Sequence, residues 1–181
     1  MGSIGNREML VARWAELVND ASLRDVPYKI ELSAEGTIEM SPANNWHAAV
    51  QAYLARLLGN ALPHGMVYTE CSVITEAGVR VPNVAWGSAE FVQDQGANTP
   101  FGHAPEICVE ILSPSNSRTE IDAKVRAFLA AGAREVWLAR AREGVSFVGP
   151  KASCPAARSS PKFSCPCRFR ATEAPLRAPT C

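Results

Sequence analysis

Residues Ile107–Ser115 read ICVEILSPS, and this stretch decides how the chain folds. Its first six residues are apolar except for Glu110, the pattern of a central strand buried on both faces of a sheet. A carboxylate in such a strand needs a partner, a metal or a raised pKa. A second stretch of the same kind, VRVPNVAW from Val79 to Trp86, carries Asn83 as its polar residue. Fourteen positions beyond Glu110 stands Lys124. It falls on a helix that Ser117 and Glu120 open as a capping box and Gly132 stops. At about 100° per residue, Lys124 borders the stripe made by Ile121, Val125, Phe128 and Leu129.

Working outward, Arg7 to Asn19 carries Met9, Leu10, Trp14, Leu17 and Val18 near helical spacing and predicts a first amphipathic helix. Tyr28 to Ser33 alternates, with Tyr28, Ile30 and Leu32 on one face. Ile38 and Met40 alternate again after the turn at Ala34–Gly36, which makes a hairpin. Asn44 or Asn45 caps a helix to about Leu62, with Val50, Tyr53, Leu54, Leu57, Leu58 and Ala61 as its stripe. Met66 to Thr75 and Val79 to Trp86 read as two strands, followed by a loop rich in Gly, Asn and Gln. Strands at Val136–Leu138 and Val145–Val148 close the pattern. The result is an α/β (α+β) domain without internal repeats.

The chain holds 18 basic and 18 acidic residues, so net charge offers no general argument for nucleic acid. No apolar run approaches the ~18 residues of a membrane span, and no secretory leader is visible; the expected location is cytoplasmic. The charge is unevenly spread. Residues 150–181 hold six Lys/Arg against one Asp/Glu, four of the six cysteines and six of the thirteen prolines. The break divides the chain into a domain over 1–149 and a tail over 150–181. The tail is expected to be disordered, and a shifted reading frame would produce such a composition. Cys154, Cys165, Cys167 and Cys181 lack the paired short spacings of zinc sites. Cys71 and Cys108 lie in apolar strands and read as small buried thiols.

Acid-type positions on two neighbouring strands, with a lysine nearby, are the minimal constellation for metal-assisted cleavage of a phosphodiester. From Trp46 onward the element order is αβββαβ. GTIEMSP (Gly36–Pro42), His47 at a helix start, VRVPNVAW, VEILSPS and GAREVWL (Gly132–Leu138) follow in sequence. In this the chain resembles the Uma-two restriction endonucleases, a branch of the PD-(D/E)XK nuclease superfamily. The resemblance covers roughly residues 28–148 and implies a restriction-endonuclease-like core preceded by a helix and a hairpin.

The resemblance also implies roles. Asn83 stands where the family has a metal-binding aspartate, and Glu110 stands at the second acid. Leu112 occupies the usual lysine position, which shifts that role to Lys124 on the next helix. The expected catalytic set is therefore Glu110, Lys124 and Asn83, with Glu110 and Asn83 as ligands of Mg²⁺ or Mn²⁺. Asn83 offers an oxygen without charge, so the ion is expected to bind weakly and cleavage to be impaired. DNA is the expected partner, and a homodimer would allow both strands to be cut.

His47 reads as a neutral hydrogen bonder at a helix N-terminus, beside the cleft if the resemblance holds. Glu39 either reaches the site or is solvated. Arg56, Arg80 and Arg118 read as phosphate contacts or as ordinary surface arginines. The competing function is a catalytically inactive relative, kept as a binding or assembly module, or the product of a decaying gene.

Overall fold

The computed structural model describes residues 4–42, 44–140 and 144–148, the last segment as backbone. The order is α1 (Ile4–Asn19), β1 (Tyr28–Leu32), β2 (Ile38–Pro42), α2 (Asn45–Ala61), β3 (Gly65–Thr69), β4 (Val73–Thr75), β5 (Gly78–Arg80), β6 (Val84–Ser88), α3 (Ala89–Gln95), β7 (Ile107–Leu112), α4 (Arg118–Ala130), β8 (Glu135–Arg140) and β9 (Gly144–Val148). The tail expected at 150–181 lies outside the described residues.

The strands form two sheets, in the orders β2-β1-β5-β4 and β3-β6-β7-β8-β9. Every named pairing is antiparallel except β7 with β8, which α4 joins as a parallel crossover. Tracing α2-β3-β6-β7-α4-β8 recovers the αβββαβ core, with the β4–β5 hairpin inserted between β3 and β6.

Strand β7 is apolar on both faces because both are covered. On one side Val50, Leu54 and Leu58 of α2 pack with Val84, Trp86, Ile107, Val109 and Ile111. On the other, Val125 and Phe128 of α4 pack with Cys108, Val136 and Leu138. A third cluster sets Leu10, Trp14 and Leu17 of α1 against Leu32, Ile74 and Val79 of the smaller sheet and Val81 just beyond it. Met9 and Val18, expected on the same stripe of α1, are exposed instead.

The long strands expected at Met66–Thr75 and Val79–Trp86 are each broken in two, and the halves belong to different sheets. In the second, Pro82 has no N–H for the ladder, and residues 81–83 carry the chain from β5 in the smaller sheet to β6 in the larger. In the first, Glu70 adopts φ 54°, a left-handed conformation that ends the extended run. Both apolar stretches therefore stitch the sheets together. The junction also depends on Gly78, at φ +110°, where a Cβ would lie 2.0 Å from the carbonyl oxygen of Leu32.

Further departures are local. The stretch after Trp86 includes α3, whose N-cap Ser88 accepts from the N–H of Phe91. Asn44 caps α2 by accepting from the N–H of His47, and the Ser117–Glu120 capping box opens α4. Cys108 is fully buried, while Cys71 is half-buried; burial pushes the Cys71 thiol up to about 12.

Candidate active site

The residues singled out from sequence converge where the two sheets meet, between the N-terminus of α2 and one face of α4. Glu110, on β7, is 4% exposed. The register Val84↔Val109, Ala85↔Cys108 and Trp86↔Ile107 runs on to Asn83, which is itself 1% exposed. The N–H of Asn83 donates to the carbonyl of Val109 at 2.9 Å, and its Oδ1 accepts from the N–H of Ile111 at 2.9 Å. The asparagine thus grips β7 on either side of Glu110.

With Oδ1 so engaged, the Asn83 amide nitrogen is the donor in its 2.8 Å contact with His47 Nε2. His47 then carries its proton on Nδ1. Burial, and next the nearby Lys29 ammonium, lower its pKa and favour the neutral ring. The same geometry changes the expectation for Asn83. The carbonyl oxygen that was to face a metal is taken by the backbone of β7.

Lys124 reaches the carboxylates from α4. Its Nζ lies 3.5 Å from Glu110 Oε2 and 3.0 Å from Oε2 of a second glutamate, Glu31. Burial alone would lower the lysine's pKa, but the Glu110 and Glu31 charges beside it outweigh that and raise it.

Glu31 is the residue the sequence reading missed. It sits on β1, 4% exposed, and its Oε1 accepts from the N–H of Val81 at 2.8 Å. Burial opposes its ionisation, yet the Lys29 and Lys124 charges and the Val81 hydrogen bond together hold its carboxyl below the usual range. Arg80 Nη1 lies 3.6 Å from Glu31 Oε2 and also pairs with Glu39, the cross-strand neighbour of Glu31. Arg80 is thus part of the cluster and not ordinary surface, and Glu39 joins only through it. Lys29, two residues before Glu31, completes the group at 3.9 Å from Glu31 Oε1 and 3.7 Å from Glu110 Oε2.

Burial on β1 does not follow its apolar face throughout: Tyr28 is 46% exposed while Glu31, on the opposite face, is buried. A clue lay in the sequence. Lys29 and Glu31 alternate as a cation and an anion on one strand face, which reads as solvated until α4 is known to cover it.

Glu110 Oε1 is buried with no hydrogen-bond partner. Among the described residues, no three His, Cys, Asp or Glu side chains gather in a geometry able to hold a metal ion. No helix among them is long and apolar enough to cross a membrane.

Comparison with known proteins gives this arrangement its context. The crystal structure of a putative nuclease belonging to DUF820 from Anabaena variabilis superposes with a TM-score of 0.59 at 19% sequence identity, covering 75% of this chain and 79% of that one. At that identity the likeness concerns the fold, which is that of a restriction-endonuclease-like core. No curated protein matches the chain. The Uma2 family, described as "Putative restriction endonuclease", matches residues 19–150, a span that takes in Glu31, Glu110, Asn83 and Lys124. By that match the chain belongs to the Uma2 family.

Proposed function

We propose that the chain is a nuclease of impaired activity, directed at DNA phosphodiesters, with its centre at Glu31, Glu110 and Lys124. The observation that carries this reading is Glu110: a buried carboxylate with one orphaned oxygen, 3.5 Å from a lysine on the crossover helix. Most buried polar atoms in native proteins have a partner, and an oxygen without a protein partner has room for a water or an ion.

The donors fit Mg²⁺ or Mn²⁺ in a limited way. Magnesium is commonly held through one or two carboxylates and several waters, and Glu31 and Glu110 supply two. Asn83 adds no charge, and its oxygen, already bound to the N–H of Ile111, has at most one lone pair left to offer. When bound, such an ion acts as a Lewis acid toward a phosphoryl oxygen and lowers the pKa of a bound water. Glu110 would orient from the strand side, and Lys124 would hold positive charge beside the scissile phosphate. His47, neutral with its proton on Nδ1, can donate at the rim of the site. Arg80 and Glu39 brace Glu31.

The test is a Mg²⁺- or Mn²⁺-dependent plasmid-nicking assay on the wild type, Glu110→Ala and Asn83→Asp. Weak or absent nicking by the wild type, gain with Asn83→Asp and none with Glu110→Ala would support the reading. Nicking that survives Glu110→Ala would sink it.

A second reading is a catalytically silent relative that serves as a binding or assembly module. The engaged oxygen of Asn83 favours it. Failure of Asn83→Asp to restore any cleavage, with the fold intact, would select it.

A further inference from the structure

We propose that Lys29 is a built-in counter-ion seated between Glu31 and Glu110, and that a divalent cation enters only by displacing it. The inference rests on the nuclease reading of the site and concerns how that site is regulated. Lys29 is on β1, so its position is fixed by the same strand that presents Glu31, and its side chain is only 10% exposed. Its ammonium lies 3.9 Å from Glu31 Oε1 and 3.7 Å from Glu110 Oε2, facing both carboxylates beyond hydrogen-bond length.

Lys124 differs. It makes short contacts to both oxygens of Glu31, at 3.0 and 3.3 Å, and is anchored by them. Lys29 contributes charge without such an anchor, on a flexible four-carbon stem that can swing away.

The charge count gives the same answer. Lys29, Arg80 and Lys124 balance Glu31, Glu39 and Glu110, so the cluster is neutral as it stands. An aspartate at 83 would have left it short of positive charge. With Asn83 there is no deficit, and a doubly charged ion added beside Lys29 would put uncompensated positive charge into a buried site. Removing the Lys29 ammonium leaves one uncompensated negative charge, which offsets half the charge of an entering divalent cation. Lys29 is a positioning and gating residue here, and it takes no part in bond making.

The experiment is calorimetric titration of Mn²⁺ into the full chain as wild type, Lys29→Met, Lys29→Arg and Asn83→Asp, with thermal melts in the presence and absence of the ion. Lys29→Met should bind Mn²⁺ at least about ten-fold more tightly than wild type, the lower end of what a partner of a metal ligand is worth. Its melting temperature should fall without the ion and be raised by it more than that of the wild type. Lys29→Arg, which keeps the charge, should bind as the wild type does.

Mn²⁺ affinity in Lys29→Met equal to or below wild type overturns the proposal. If Asn83→Asp gains binding while Lys29→Met does not, the counter-ion role fails and the nuclease reading stands. If no variant binds Mn²⁺, the nuclease reading fails and takes the Lys29 role with it. Should Lys29→Met not fold, Lys29→Gln makes the same comparison with the same outcomes.

Discussion

Glu31 and Glu110 are equally buried, 4% exposed each, yet they sit in opposite circumstances. Glu31 has a backbone N–H on one oxygen, Lys124 on both, and Lys29 and Arg80 close by. Glu110 has two ammonium groups near one oxygen and nothing on the other. Glu31 joins the smaller sheet to α4, whereas Glu110 hangs from the larger sheet with capacity in reserve. The better-supplied carboxylate also holds elements together; the under-supplied one keeps an oxygen free for a ligand. The difference teaches that burial alone does not mark a reactive acid, and that the count of partners does.

The sharpest way to break this comparison is to remove each acid in turn and measure stability by urea unfolding. Glu31→Ala should cost about 3–5 kcal/mol, because it strands Lys124, Lys29 and Arg80 around an empty place. A loss under about 1 kcal/mol would mean that Glu31 is not the holder.

Lys124→Met keeps the aliphatic stem, and on helix position alone it would be worth less than about 1 kcal/mol. Its contact with the buried Glu31 raises the expected cost to about 1.5–3 kcal/mol, the range for hydrogen bonds to charged groups. In the Asn83→Asp background the same change should also abolish nicking. Unchanged nicking would remove Lys124 from the mechanism.

The pH dependence should follow the same two residues. The Glu31 carboxyl is depressed on folding, so its contribution is present above the ordinary value of 4.5 and lost as pH falls through the lower folded value. Lys124 is raised, so its contribution is complete below the ordinary 10.5 and lost as pH rises through the higher folded value. Glu31→Gln should therefore flatten the acid side of a stability–pH curve measured by thermal melts. A curve still as steep as that of the wild type would place the acid-sensitive group elsewhere.

The smallest effect is expected of Glu110→Gln, which should cost about 1–2 kcal/mol, since it loses two ammonium contacts beyond hydrogen-bond length on one oxygen and nothing on the other. A loss as large as that of Glu31→Ala would erase the distinction between the two acids.

How much of this could be read in advance depended on what surrounds each residue along the chain. Glu110 stood out because a charge in an apolar run is conspicuous, and Lys124 because helix spacing put it at the edge of a buried stripe. Glu31 was hidden by the alternation of its own strand. One of its partners is a lysine 93 residues away in sequence, and no local pattern encodes that. Arg80 was hidden for the same reason. The αβββαβ order was legible from periodicity, but the crossing of two apolar stretches between sheets was not. The break at Pro82 leaves hydrophobicity unchanged and alters only the hydrogen-bond partners, whereas the one at Glu70 is marked by a charge whose meaning as a change of sheet no local pattern gives. Helix α3, seven residues long, is too short to show a period.

The clamp at Asn83 has a consequence for how such a centre can lapse. An amide oxygen and a carboxylate oxygen can both accept the N–H of Ile111, and the neighbouring bond from the Asn83 N–H to Val109 belongs to the main chain. Exchange between aspartate and asparagine at this position leaves the β6–β7 ladder as it was. The exchange is felt instead at His47: an aspartate would set an acceptor against Nε2 where the amide now donates, and would add a buried negative charge to a cluster that is neutral with Asn83. The step between the two residues therefore trades the stability of the resting fold against the charge that a cation needs.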